Sequence, residues 1–323
     1  MIYLCQNILI EHMIFQEYYM RNPKQIFAAN HKIDTVRLES SSGGVFFSMA
    51  VYVLNHGGAV IGASYKGTDV QHVIVRSEEE LSSIRKSKYA PSSIASIKNI
   101  LPSLVDEPLI LFSGTPCQIK GLQLFLSRSK DDRVRSLKQS ILWVEVACHG
   151  VPTKKSYQEY IKANHIRSID FRCKRNGWRT SEIMIERMDG SVSYELPSSN
   201  SFYQNYINNS NVRKSCLQCK SKYFSSGADV TLADFWGVEA FAKDLDDDKG
   251  TSLVLLHTKK GVDIWKNVRD DFYTRKVSLL QAIKWNPCIV RSANSPLSSV
   301  ERQDEYKTKV IGLLYSFYKS IFR

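Results

Sequence analysis

Two short runs constrain this 323-residue chain more than anything else in it: the fully apolar 108–112 and the largely apolar 141–147. Each has the length of a strand and lacks alternation, as expected of a strand buried on both faces. Each leads into a helix. After the first come Ser113-Gly114-Thr115-Pro116 and a stretch burying Ile119, Leu122, Phe125 and Leu126. After the second come Cys148-His149-Gly150-Val151-Pro152 and a helix over about 154–163. The order strand–helix–strand–helix predicts an α/β fold whose mostly parallel sheet is flanked by helices on both faces.

Other segments extend that frame. Ser40-Ser41-Ser42-Gly43-Gly44 opens a helix in which Phe46, Met49, Ala50, Val53 and Leu54 share one face. Strands are expected at 26–29, 59–63, 70–75, 230–235 and 252–257. Helices are expected at 77–87, 92–104 and 262–268, the first behind a Ser77/Glu80 capping box. Residues 165–197, with turns at Asn176-Gly177 and Asp189-Gly190, read as a small antiparallel β insertion. A polar, cysteine-bearing segment follows at 201–228, and an amphipathic helix is expected at about 298–322. The division is an extension (1–24), an N-terminal α/β domain (25–164), a C-terminal domain with the insertion and the cysteine segment (165–290), and a helical tail (291–323).

Composition narrows the classes. A 43% hydrophobic fraction supports a full core, and mean hydropathy is −0.26. No run approaches the ~18 apolar residues of a membrane span. The N-terminus lacks the basic start of a signal peptide, so a reducing cytoplasm is the expected home. The net charge of +12 suits anionic partners. No polybasic block stands out, which argues against specific nucleic-acid binding.

The seven cysteines fall at 5, 117, 148, 173, 216, 219 and 288. In a cytoplasm, clustered thiols point to metal or redox chemistry rather than disulfides. Cys216-Leu217-Gln218-Cys219 is a lone CxxC, and a closed site needs two more ligands. Cys117 and Cys148 qualify by position, each just past the C-terminal end of a buried strand. That edge is where α/β proteins bind ligands. Thr115 as N-cap and Pro116 as first helical residue put Cys117 in a first turn, where the helix dipole favours thiolate. The spacings leave an iron–sulphur site, a zinc site and no shared site all open. Cys5, Cys173 and Cys288 read as packing residues.

The turns at 40–44 and 113–116 present small residues and free amides at helix starts, which suits a phosphate or a plain capped turn alike. Trp236, in Ala233-Asp234-Phe235-Trp236-Gly237, fits a flat cofactor or the core. Residues 246–250 fit a cation loop or a solvated one. His149 fits a proton donor or a locally satisfied histidine.

Taken in order, Ser40–Gly44, Ser87-Lys88-Tyr89, Phe112–Gln118, Cys148–Pro152, Phe171–Lys174 with Asn176-Gly177-Trp178, the CxxC, 233–237 and 246–250 resemble the β-subunit family of the deazaflavin-coenzyme (coenzyme F420) hydrogenases and dehydrogenases, over about 25–290. The resemblance implies an iron–sulphur flavoprotein with FAD and a 4Fe-4S cluster. It implies that Ser41, Ser42, Gly43, Gly44, Ser113, Gly114 and Thr115 hold the flavin nucleotide. It implies Cys117, Cys148, Cys216 and Cys219 as cluster ligands, with Asp234 and Lys88 at the flavin or substrate; His149 as proton donor completes the candidate catalytic residues. Many members begin with a ferredoxin-like segment of two CxxCxxCxxxCP runs. This chain has none, so a separate ferredoxin-like partner is expected to exchange its electrons, with a deazaflavin or another small molecule as substrate. Bacterial relatives beside surface-polysaccharide genes suggest that biosynthetic setting. The rival from another class is a redox-inactive, zinc-stapled scaffold in polysaccharide assembly.

Overall fold

The computed structural model describes residues 22–293. Cys5, most of the 1–24 extension and the 298–322 helix lie outside them. Twelve strands fall in two sheets. The larger contains β1 (Gln25–His31), β2 (Ala59–Lys66), β3 (Asp69–Val75), β4 (Ser92–Ser93), β5 (Ile110–Gly114), β6 (Ile141–Val146), β10 (Val230–Asp234), β11 (Ser252–Leu256) and β12 (Phe272–Lys276), in the order β12-β1-β11-β10-β6-β5-β2-β3-β4. The smaller is the expected antiparallel insertion: β7 (Ile166–Cys173), β8 (Glu182–Arg187) and β9 (Val192–Glu195), paired in sequence.

The centre of the large sheet is the parallel array β2-β5-β6-β10. Its two middle strands are the apolar runs, and Ile110, Leu111, Phe112, Ile141, Leu142 and Val144 are fully buried. Antiparallel strands extend the array on either side: β3 on one, β11, β1 and β12 on the other. Strands from before and after residue 164 therefore share one sheet.

Helices cover both faces. On one, Val45–Asn55 packs with Lys259–Val268 through Val45, Met49, Ala50, Val53, Ile264 and Trp265. On the other, Pro116–Ser127 and Asp132–Ser140 bury Ile119, Leu122, Leu126, Val134 and Leu137. Two expected helices are broken up. Residues 92–104 give β4, a short helix Ile97–Ile100 and a 3-10 turn Leu101–Leu104, because Pro102 removes a helical donor. The 77–87 segment forms only the 3-10 helix Glu79–Ile84, whose Ile84 packs against Gly62.

Candidate functional site

In a parallel array, residues just beyond the C-terminal strand ends line one edge, where crossovers leave a crevice. Here the ends of β2, β5, β6 and β10 open into a cleft of about 690 Å³, a size suited to a cofactor or small substrate. Ser41, Ser42 and Gly44, Lys88, Ser113, Gly114 and Thr115, Cys117, Cys148, His149 and Asp234 all line it. Segments far apart in sequence thus meet on one wall.

The serine–glycine loop is held mostly by its own protein. Ser41 Oγ accepts the Ser87 amide at 2.7 Å, joining the loop to the Ser87-Lys88-Tyr89 segment. Ser42 Oγ donates to Thr251 O at 2.6 Å. A Cβ on Gly43 would stand 2.2 Å from Ala29 O and 2.6 Å from Ser252 N. Gly43 therefore lets the loop press against β1 and β11; its amide donates to Ser252 Oγ rather than facing the cleft. Gly44, with φ +93°, lines the cleft together with Ser41 and Ser42 and starts the helix Val45–Asn55.

Behind the loop, Lys174 is buried and its ammonium donates to the carbonyls of Arg37, Ser42 and Lys249. Burial pushes its pKa down to about 7. The 246–250 loop is likewise structural. Asp247 pairs with Arg37, Asp246 with Arg179, and Trp178 N donates to Asp248 O. These contacts strap the β insertion to the large sheet, and the carboxylates are spent on arginines.

The second turn behaves as its sequence indicates. Thr115 caps Pro116–Ser127, with Gln118 Oε1 accepting the Thr115 amide at 3.0 Å. Cys117 is exposed in the first turn, 3.3 Å from Thr115 Oγ1. Below it, His72 Nε2 donates to Ser113 O and the ring stacks on Phe112. Burial pushes the His72 pKa down to about 4, so the ring is neutral.

Charge in the cleft is lopsided. Among the described residues Arg85, Lys86, Lys88, Arg172, Arg213 and Arg291 line it, against Asp234 alone of the carboxylates. Asp234 ends β10 and pairs with Arg172 at 2.8 Å. Lys88 donates to Arg85 O and Lys86 O, and burial lowers its pKa to about 8. His149 Nε2 donates to Asn209 Oδ1 at 2.7 Å, which fixes the ring edge-on to Tyr206. An aromatic lining accompanies the charge. Tyr89 meets Tyr203 and Tyr206 edge-on, and Trp236, 39% exposed on the cleft, stacks on buried Trp178 with centroids 4.5 Å apart. Arg172 lies in the 171–174 motif with no role read for it there, and Tyr203 and Tyr206 carried no local motif; the fold brings all three here.

The cysteines converge as well. The loop after β6 is tied to the CxxC segment by Arg213 N to Val151 O and Thr153 N to Asn211 O. A Cβ on Gly150 would stand 2.8 Å from Val212 Cγ1, so the glycine lets the segment that carries Cys216 pack against the loop after β6. The thiols sense one another: Cys117, Cys216 and Cys288 all raise the Cys148 pKa, and Cys117 and Cys219 raise that of Cys216. Burial is the larger cause and carries Cys148 to about 12. Among the described residues no three potential ligands stand ready at metal-binding geometry. The donor set itself, thiols from three segments that feel one another's charge, has the chemistry of a cysteine-ligated centre; a bound metal would offset the burial penalty on Cys148 and Cys216. Two further residues join it unannounced. Cys288 lines the cleft rather than the core, and buried Lys222 donates to the carbonyls of both Cys148 and Cys288.

Comparison with known proteins follows the same lines. The family model for the coenzyme F420 hydrogenase/dehydrogenase beta subunit N-terminus matches residues 26–98, and that for its C-terminus matches residues 108–279. No curated protein matches the chain. A chain from the xenon-derivatised F420-reducing NiFe hydrogenase complex of Methanosarcina barkeri superposes with a TM-score of 0.56 at 19% identity, over 82% of this chain and 90% of that one. At that identity the likeness establishes a shared fold. No helix among the described residues is long and apolar enough to cross a membrane. The two family matches span most of the sequence, and the chain belongs to the coenzyme F420 hydrogenase/dehydrogenase beta-subunit family.

Proposed function

We propose that the chain is an FAD-dependent iron–sulphur oxidoreductase. The observation that carries this is the cleft at the parallel strand ends, where cationic and aromatic side chains meet Cys117, Cys148 and Cys288, with the CxxC segment packed against the loop that bears Cys148. In this reading the N-termini of Val45–Asn55 and Pro116–Ser127 face the nucleotide phosphates, with Ser41, Gly44, Ser113, Gly114 and Thr115 as their loops. Lys88 and Arg172 supply fixed positive charge, and Arg172 also holds Asp234 in place. Trp236, Tyr203 and Tyr206 offer faces to a flat ring and exclude water. His149, oriented by Asn209, holds a proton on the cleft lining. Cys117, Cys148, Cys216 and Cys219 would bind the 4Fe-4S cluster. Bound together, flavin and cluster supply the interconversion of two-electron and one-electron chemistry.

The electron partner is a ferredoxin-like protein, and the substrate is a deazaflavin or another small molecule. The setting in surface-polysaccharide synthesis rests on family resemblance. Anaerobic purification with a visible spectrum and a flavin assay tests the reading. A brown protein releasing FAD supports it; a colourless zinc protein favours the scaffold alternative.

A further inference from the structure

The positive charge of the chain is not evenly placed. The sequence has no acidic residue between Glu107 and Asp131, Glu145 and Glu159, Glu195 and Asp229, or Asp271 and Glu301. These four windows hold Cys117, Cys148, the Cys216/Cys219 pair and Cys288, and they carry three, two, four and four Lys or Arg. That matches the whole excess of +12 to within one charge, so the remainder of the chain is close to neutral.

Several basic side chains elsewhere are held by carboxylates: Arg37 by Asp247, Lys86 by Asp170, Arg172 by Asp234, Arg179 by Asp246. In the cysteine windows Arg275 pairs with Asp244 and Lys155 reaches Glu159, but the cations next to Cys117 and the CxxC are not so held. Lys120, Arg213, Lys214 and Lys220 are exposed, and none has a carboxylate partner among the described residues. Lys120 lies one turn past exposed Cys117, while Lys214 and Lys220 flank the CxxC. Two aromatics stand out in the same segments. Tyr223 is 58% and Trp285 46% exposed, beside Lys222 and Asn286, which are anchored on the site. Unpaired positive charge beside exposed aromatics suits a partner of opposite charge, and the sparse spacing lacks the dense basic stripes of nucleic-acid binding.

We infer that this face docks a small acidic protein, and, resting on the oxidoreductase reading above, that the partner is an acidic iron–sulphur electron carrier. Unpaired lysines steer such a partner, and the aromatics bury against it once seated.

The experiment uses the full chain, purified anaerobically, and a purified ferredoxin of strongly negative charge, with affinity read by calorimetry. Salt is raised so that the Debye length falls from ~30 to ~8 Å. Lys214→Glu/Lys220→Glu is compared with Lys24→Glu/Lys138→Glu, which changes net charge equally. Lys24 adjoins Leu256 at the opposite end of the sheet, and Lys138 lies in the last turn before β6. The proposal expects wild-type affinity to weaken at least about tenfold over the salt range. It expects the Lys214/Lys220 pair to lose about tenfold at low salt and the control about twofold. Equal losses in both pairs, or tight binding of RNA or anionic vesicles with none of ferredoxin, would overturn it. Docking by a chain that lacks iron and flavin keeps this face and rejects the redox reading. A loaded chain whose two variants behave alike keeps the redox reading and rejects the face.

Discussion

Asp234 was expected beside the cofactor, and its carboxylate is held by Arg172, so the pair is the place to perturb. The contact is 2.8 Å, with the arginine side chain 5% and the aspartate 20% exposed. Charges about 4 Å apart at an effective dielectric of about 20 attract by about 4 kcal/mol. Solvent reaching Asp234 from the cleft screens part of this, which leaves a coupling of about 2–3 kcal/mol. The assay is urea unfolding of Arg172→Met, Asp234→Asn and the double variant, combined as a double-mutant cycle. Arg172→Met alone should be the most damaging, because it leaves a carboxylate stranded and frees Ser41 O, which the guanidinium also meets at 3.3 Å. The double variant should recover part of the loss. Effects that add within about 0.5 kcal/mol would refute the reasoning and return Asp234 to the role of an independent cleft carboxylate.

Further outcomes follow from single positions. Gly43→Ala should cost at least about 3 kcal/mol, since the added methyl meets backbone of both β1 and β11, whereas Gly121→Ala, in open space on a helix, should stabilise by about 0.5–1 kcal/mol; thermal melts distinguish them. Lys88 titrates about 8 in the fold against an ordinary 10.5, so its charge is lost as pH rises through 8. Binding of a pyrophosphate-bearing ligand, followed by calorimetry, should therefore weaken between pH 7 and 9, and Lys88→Met should flatten the profile. Over pH 8–10.5 the unfolded chain holds more protons at this lysine than the folded one, so the ligand-free protein gains stability there.

The sequence was legible where local chemistry decides structure. The runs at 108–112 and 141–147 became the adjacent parallel strands β5 and β6, and Thr115-Pro116 capped the helix that presents Cys117. The antiparallel insertion followed from its turns. What stayed hidden depends on distant partners. Nothing local says that β1 pairs with β11 and β12, more than two hundred residues away. Lys174 and Lys222 look like surface lysines until the fold buries them against carbonyls of other segments. Asp246, Asp247 and Asp248 fitted a cation loop or a solvated one, and neither reading shows the arginines from helix and insertion that pair with them. Gly43 reads as a phosphate-loop glycine, and the close approach it permits is to protein backbone. Cys288 had no motif, and only the return of its segment to the cleft puts it beside Cys148.

The central claim is that thiols from three segments form one cluster site next to a flavin cleft. Iron and acid-labile sulphide per chain, measured on anaerobically purified wild type and on Cys216→Ser, test it most directly. The account predicts about four of each in the wild type and their loss in the variant, with Cys173→Ser unaffected. A Cys216→Ser protein that keeps its full iron and sulphide, or a wild type that holds zinc alone, would contradict it.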